Sequence, residues 1–98
     1  MTIVSARKVE DCFDGSRVVR YTFDETFTPQ RIRALEALGE LDHFPDFPRP
    51  LFRVRLPGGA EIKGIGGTAE CQVVFPSARR ETMQSSFEHH FGWARREA

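Results

Sequence analysis

From Thr2 to Cys12 apolar and polar positions alternate weakly, with Ile3, Ser5, Arg7, Val9 and Asp11 on one side and Val4, Ala6, Lys8, Glu10 and Cys12 on the other. This is the pattern of an edge strand. Asp14-Gly15 marks a turn. The next run, SRVVRYTFD, puts Val19, Tyr21 and Phe23 on one face and Val18, Arg20 and Thr22 on the other, so the first two strands read as a hairpin. Thr28-Pro29 then opens a helix, with Thr at the N-cap and Pro where no amide donor is needed. Ile32, Leu35, Leu38 and Leu41 follow at helical spacing, with Ala34 and Ala37 beside them and Gly39 near the end. The stretch HFPDFPRP carries Pro45, Pro48 and Pro50, which remove backbone donors, and it reads as a loop pinned to the body by Phe44 and Phe47.

From Leu51 the period is two. Phe52, Val54 and Leu56 oppose Arg53 and Arg55; Ala60 and Ile62 point inward in the next strand; Cys71, Val73 and Phe75 oppose Glu70, Gln72 and Val74. Pro57-Gly58-Gly59 and Gly66-Gly67 are the turns, so residues 51–75 form a three-stranded meander. Pro76 ends the last strand and Ser77 is placed to cap a second helix. Met83, Phe87, His90, Phe91 and Ala94 fall on one face of it. Glu81 near its start and Arg95 and Arg96 in its last turn suit the helix dipole, and Gly92 frays its end.

The element order β-β-α-β-β-β-α predicts an α+β fold: a two-layer sandwich in which both helices cover one face of a mainly antiparallel sheet of about five strands. One domain spans 1–98. The crossover from the second strand through the first helix to the third is expected to be right-handed if those strands lie parallel.

Residues 64–69, GIGGTA, spell the dinucleotide fingerprint G-x-G-x-x-G/A. That chemistry needs a helix N-terminus after the glycines, facing the pyrophosphate. Here AECQVVFP follows, with strand period and a proline stop. No Gly-Lys-Ser/Thr makes a phosphate loop either. The glycines are assigned to a hairpin turn, with Gly64 at a bulge or a crowded crossing.

Composition narrows the chemistry. The formal net charge is zero, from 14 basic and 14 acidic residues, so no bulk field draws the chain to nucleic acid or anionic membrane. Twelve of the basic residues are Arg, as a GC-rich genome produces. No apolar run approaches a membrane span, and the two cysteines, Cys12 and Cys71, read as reduced thiols in the cytoplasm.

Catalytic and metal constellations are thin. Neighbouring His89 and His90 point about 100° apart on a helix and cannot share one ion. His90 is expected at the core edge. A composite Cys12–Cys71–His site depends wholly on folding. Asp42, His43 and Asp46 bring acid–base groups to one loop. Glu10-Asp11 and Asp24-Glu25 read as solvated. The expectation is therefore no catalytic residue, no metal and no cofactor.

The sheet's outer face offers more. Alternation places Arg20, Thr22, Arg53, Arg55, Lys63 and Gln72 there, with Glu61 and Glu70 among them. Single-stranded RNA is bound by such faces when exposed aromatics stack its bases, but Tyr21, Phe23, Phe52 and Phe75 all alternate inward. Trp93 lies off the apolar stripe of the last helix, followed by Arg95 and Arg96, in the manner of an interface anchor. The leading expectation is a binding domain acting on a protein partner or on itself. Nucleic-acid or anion contact through Arg20, Arg53, Arg55 and Lys63 comes second, and a small-molecule or metal enzyme subunit third.

Overall fold

The computed structural model describes residues 1–94. The chain forms six strands and two helices: β1 (Ile3–Asp11), β2 (Arg17–Phe23), α1 (Pro29–Ala34) with a 3-10 turn at Leu35–Ala37, β3 (Glu40–Phe44), β4 (Leu51–Arg55), β5 (Glu61–Ile65), β6 (Glu70–Phe75) and α2 (Arg80–Phe91). All neighbours in the sheet are antiparallel, in the order β1-β2-β6-β5-β4-β3. The expected α+β architecture, with its hairpin and its meander, is present. The meander has one strand more than the sequence shows.

That strand is β3. Helical spacing carries the apolar pattern through Leu41, yet α1 stops at Ala34 and the backbone turns extended at Glu40. Gly39 makes the reversal possible: a Cβ there would overlap the Arg55 carbonyl oxygen. Beyond it, pairing with β4 supplies the hydrogen bonds a further helical turn would have supplied. Leu41 faces the core side in either conformation, which is why the pattern is ambiguous. With β3 at the edge, the strand after α1 runs parallel to β2, with β4, β5 and β6 between them. The first strand of the expected meander, β4, runs antiparallel to β2.

Helix α1 begins as its sequence dictates, with the Thr28 hydroxyl accepting from the Arg31 amide at 3.2 Å and Pro29 at the first helical position. Helix α2 does not. Its N-cap is Arg79, in the left-handed region at φ 63°, and Ser77 lies outside it. Gly92 closes its other end, so Trp93 is not helical. Trp93 instead sits beside the start of β1, where Ile3 donates to the Gly92 carbonyl at 2.8 Å and Ala94 donates to Ile3 at 2.7 Å.

Tyr21, Phe23, Phe52, Val54, Ile62, Val73 and Phe75 form the inner wall of the core, closed from the helix side by Ile32, Leu35 and Phe87. A polar chain runs along the seam between β2 and α2. Arg17 donates to Gln84 at 3.1 Å, Gln84 to Glu88 at 3.0 Å, and the Tyr21 hydroxyl to Glu88 at 2.8 Å. Burial first, then the Glu88 hydrogen bond, raises the Tyr21 phenol above its ordinary 10.0.

Gly64 answers the puzzle of the glycine run. It is opposite Phe52 in register, and a Cβ on it would overlap the Phe52 ring. The crowded crossing is real, and no register shift marks a bulge between β4 and β5. Gly67, at φ 85° in open space, is the turn residue. Gly64→Ala is therefore expected to cost roughly 1–3 kcal/mol in urea unfolding, the range for overpacking a close-fitted core. A second expectation concerns alkali. The unfolded chain gives up the Tyr21 proton near pH 10.0 while the folded chain keeps it. This contribution to stability is whole below that pH and is lost as pH rises beyond it. Tyr21→Phe should flatten the decline measured above pH 10.0. At neutral pH it should cost about 1.5–3 kcal/mol, the size of a hydrogen bond to a charged group.

Candidate functional site

Both helices lie on one side, so the other face of the sheet is uncovered. Its side chains fall into rows because facing strands hold them in register. Arg7 pairs with Arg20, Arg20 with Gln72, Gln72 with Lys63, Lys63 with Arg53 and Arg53 with Asp42. This one row crosses all six strands, a span of roughly 24 Å at about 4.8 Å per strand. The next row is acidic at intervals: Glu10, Val18, Val74, Glu61, Arg55 and Glu40.

The structure thus brings Arg20, Arg53, Arg55 and Lys63 to one surface, as alternation predicts. It pairs most of them. Asp42 accepts from Arg53 at 2.9 Å and from Arg55 at 3.2 Å. Glu61 lies 3.6 Å from Lys63 and 3.9 Å from Arg53. The Arg53 hydrogen bond, helped by the charges of Arg55 and Arg53, holds the Asp42 carboxyl below its ordinary range. Arg7 and Arg20, directly opposite each other, have no ion-pair partner among the described residues.

Arg20, Lys63, Arg53 and Gln72 line a concavity of about 680 Å³ on this face. Phe44, Leu51 and Ile65 supply its apolar side. Here the structure corrects the sequence. Phe44 and Phe47 do not pin the loop to the body. They are 41% and 52% exposed and stack on each other, centroids 5.1 Å apart and planes 21° apart. Aromatic surface absent from the strands' alternation is thus present beside the cations. The signal lay in Phe44 itself, which β-pairing with Leu51 turns outward.

Other candidates fall apart. Asp42 faces outward with Arg53, His43 inward with Phe52, and Asp46 sits in the loop beyond, so no acid–base set forms. Cys71 pairs with Tyr21 in β2, whereas Cys12 meets Ser16 beyond the other end of that strand, roughly 17 Å away at 3.3–3.4 Å per residue. Burial pushes the Cys71 thiol up to about 12, the opposite of what a nucleophile needs. His90 is exposed rather than at the core edge, with its ring 4.9 Å from Phe91. No group of three metal-ligating side chains occurs among the described residues. Trp93 is 48% exposed; Arg95 and Arg96 lie outside the described residues. No helix is long and apolar enough to cross a membrane.

The Asp42 pairing generates a prediction. Asp42→Asn removes the carboxylate that Arg53 and Arg55 share and leaves them only longer contacts, to Glu61 at 3.9 Å and Glu40 at 3.7 Å, so the variant should elute from an anionic heparin matrix at higher salt than the parent. Equal elution means that these arginines do not contribute to anion binding. No protein-family model, curated protein or solved structure matches the chain.

Proposed function

We propose that the chain is a binding domain whose working surface is the uncovered sheet face, and that its partner is a protein segment carrying acidic and apolar side chains. One observation carries the reading: Phe44 and Leu51 lie exposed beside Arg20, Arg53 and Lys63 around one concavity, with Phe47 stacked on Phe44. Aromatic and Arg side chains are the residues that anchor protein interfaces. The face as a whole is balanced, since Arg7, Arg20, Arg53, Arg55 and Lys63 share it with Glu10, Glu40, Asp42, Glu61 and Glu70. A protein segment can answer such a mixture. A phosphate backbone is repelled by every one of those carboxylates. Both edges of the sheet are poor docking strands. β1 is charged and twice shifted in register, and β3 is short and runs into prolines. Two thiols held apart fit a reducing compartment, the cytoplasm.

A second reading, single-stranded RNA, is favoured by the Phe44–Phe47 stack near the end of a cationic row that contains Arg7 and Arg20, which have no ion-pair partner among the described residues. One titration separates the two. A peptide of alternating Glu and Phe, and separately an oligouridylate, are added to isotope-labelled protein and amide shifts are followed. The peptide should shift Arg20, Phe44, Leu51 and Lys63, and Arg20→Glu with Lys63→Glu should abolish this. Oligouridylate binding that weakens steeply with salt, with no peptide response, selects the second reading. Silence from both probes at this face removes the proposal.

A further inference from the structure

A separate pair of features lies away from the open face. The first is Phe13. It stands fully exposed at the tip of the β1–β2 turn. The turn that carries it is tightly made. Cys12 donates to the Ser16 carbonyl at 2.9 Å, and Gly15 donates to Cys12 at 3.0 Å. The Asp14 carboxylate accepts from the Ser16 amide at 2.9 Å and hydroxyl at 2.7 Å. The turn is also tied to α2, since Arg80 donates to the Gly15 carbonyl at 2.8 Å. A large apolar side chain is thus held in water on a rigid support, so little ordering entropy remains to be lost when it is buried.

The second feature is a groove of about 360 Å³ between α2 and the end of the meander, floored by Leu56, Ala60, Met83 and Phe87. Arg79 and Ser86 stand on its rim. Arg79 precedes Arg80, which holds the Gly15 carbonyl, so the knob lies beside the Arg79 end of the groove. Their charges are complementary. Asp14, next to Phe13, has no cationic partner among the described residues, and neither has Arg79.

We propose that the occupant of this groove is Phe13 of a second copy of this chain, with Asp14 meeting the partner's Arg79. A two-fold axis beside this end lets each knob enter the other's groove, so the contact closes as a dimer and does not propagate. The surface is small, and the dimer is a weak one that fills at high concentration. The inference does not rest on the open-face reading.

The test is sedimentation velocity on the full chain from micromolar to millimolar concentration. The parent should pass from monomer to dimer. Phe13→Ser, which leaves the turn's hydrogen bonds intact, should stay monomeric throughout with unchanged circular dichroism. Ser86→Trp, filling the groove from its exposed rim, should do the same. Arg79→Asp should weaken association by about tenfold, the scale of one interfacial charge pair. It should not harm the fold, because Asp tolerates the left-handed backbone found there. The proposal is overturned by a parent that remains monomeric at millimolar concentration, or by a dimer that survives both Phe13→Ser and Ser86→Trp. A dimer broken only by Phe44→Ser overturns it as well, and so does a small molecule that native mass spectrometry detects on the parent but not on Ser86→Trp.

Discussion

Seven aromatic rings in unbroken contact hold the two layers together. Phe52 meets Phe27 at 4.9 Å, Phe27 meets Phe23 at 5.4 Å, Phe23 meets Phe91 at 5.1 Å and Phe91 meets Phe87 at 5.0 Å. Phe87 then reaches both Tyr21 at 4.8 Å and Phe75 at 6.1 Å. The belt joins β4, the segment before α1, β2, β6 and α2. Most of these contacts are tilted or edge-on, the geometry in which ring quadrupoles attract. It fixes which side of the sheet is inside. Tyr21 sits within it, so the polar chain through Glu88, Gln84 and Arg17 acts on a helix already placed by the rings, and adds direction to apolar contact.

The belt also explains the remaining surface. Of nine Phe, one Tyr and one Trp, it takes seven. The other four are Phe13, Phe44, Phe47 and Trp93, and all are exposed. Nothing structural demands an aromatic at those places, so each is a position where apolar area is left in water. On the open face the strict alternation that sends one set of side chains to the belt sends the other outward, and antiparallel register aligns these into charged rows. The ion pairs within those rows are surface pairs of small net value. They can be exchanged for a partner's groups with little loss to the fold, which makes the face suited to binding in a way the core is not.

Much of this was legible in the sequence, for a local reason. Thr28-Pro29 starts a helix through bonds made within one turn, and the period of two through residues 51–75 sorts every Arg from every core residue without knowledge of strand order. What escaped is non-local. Leu41 fits a helical stripe as well as a strand, and only the proximity of β4 decides between them. The outward turn of Phe44 follows from that strand and could not precede it. Trp93 reads as helical because Gly92 alone does not stop a helix; the hydrogen bonds that draw the chain off to Ile3 come from the far end of the sequence. Ser77 is the better cap by propensity, yet the helix starts at Arg79, where the turn holding Gly15 reaches α2 through Arg80.

The two proposed surfaces occupy different layers, and this has a consequence for how they combine. The open face belongs to the bare side of the sheet, while the groove lies between α2 and the inner side. Pairing through Phe13 therefore leaves both open faces free. On these two proposals, a partner with repeated acidic and apolar segments would be held at two points, the second contact forming at the effective concentration set by the first. Such an arrangement lets a weak face and a weak dimer together give firm attachment, with each responsive to protein concentration.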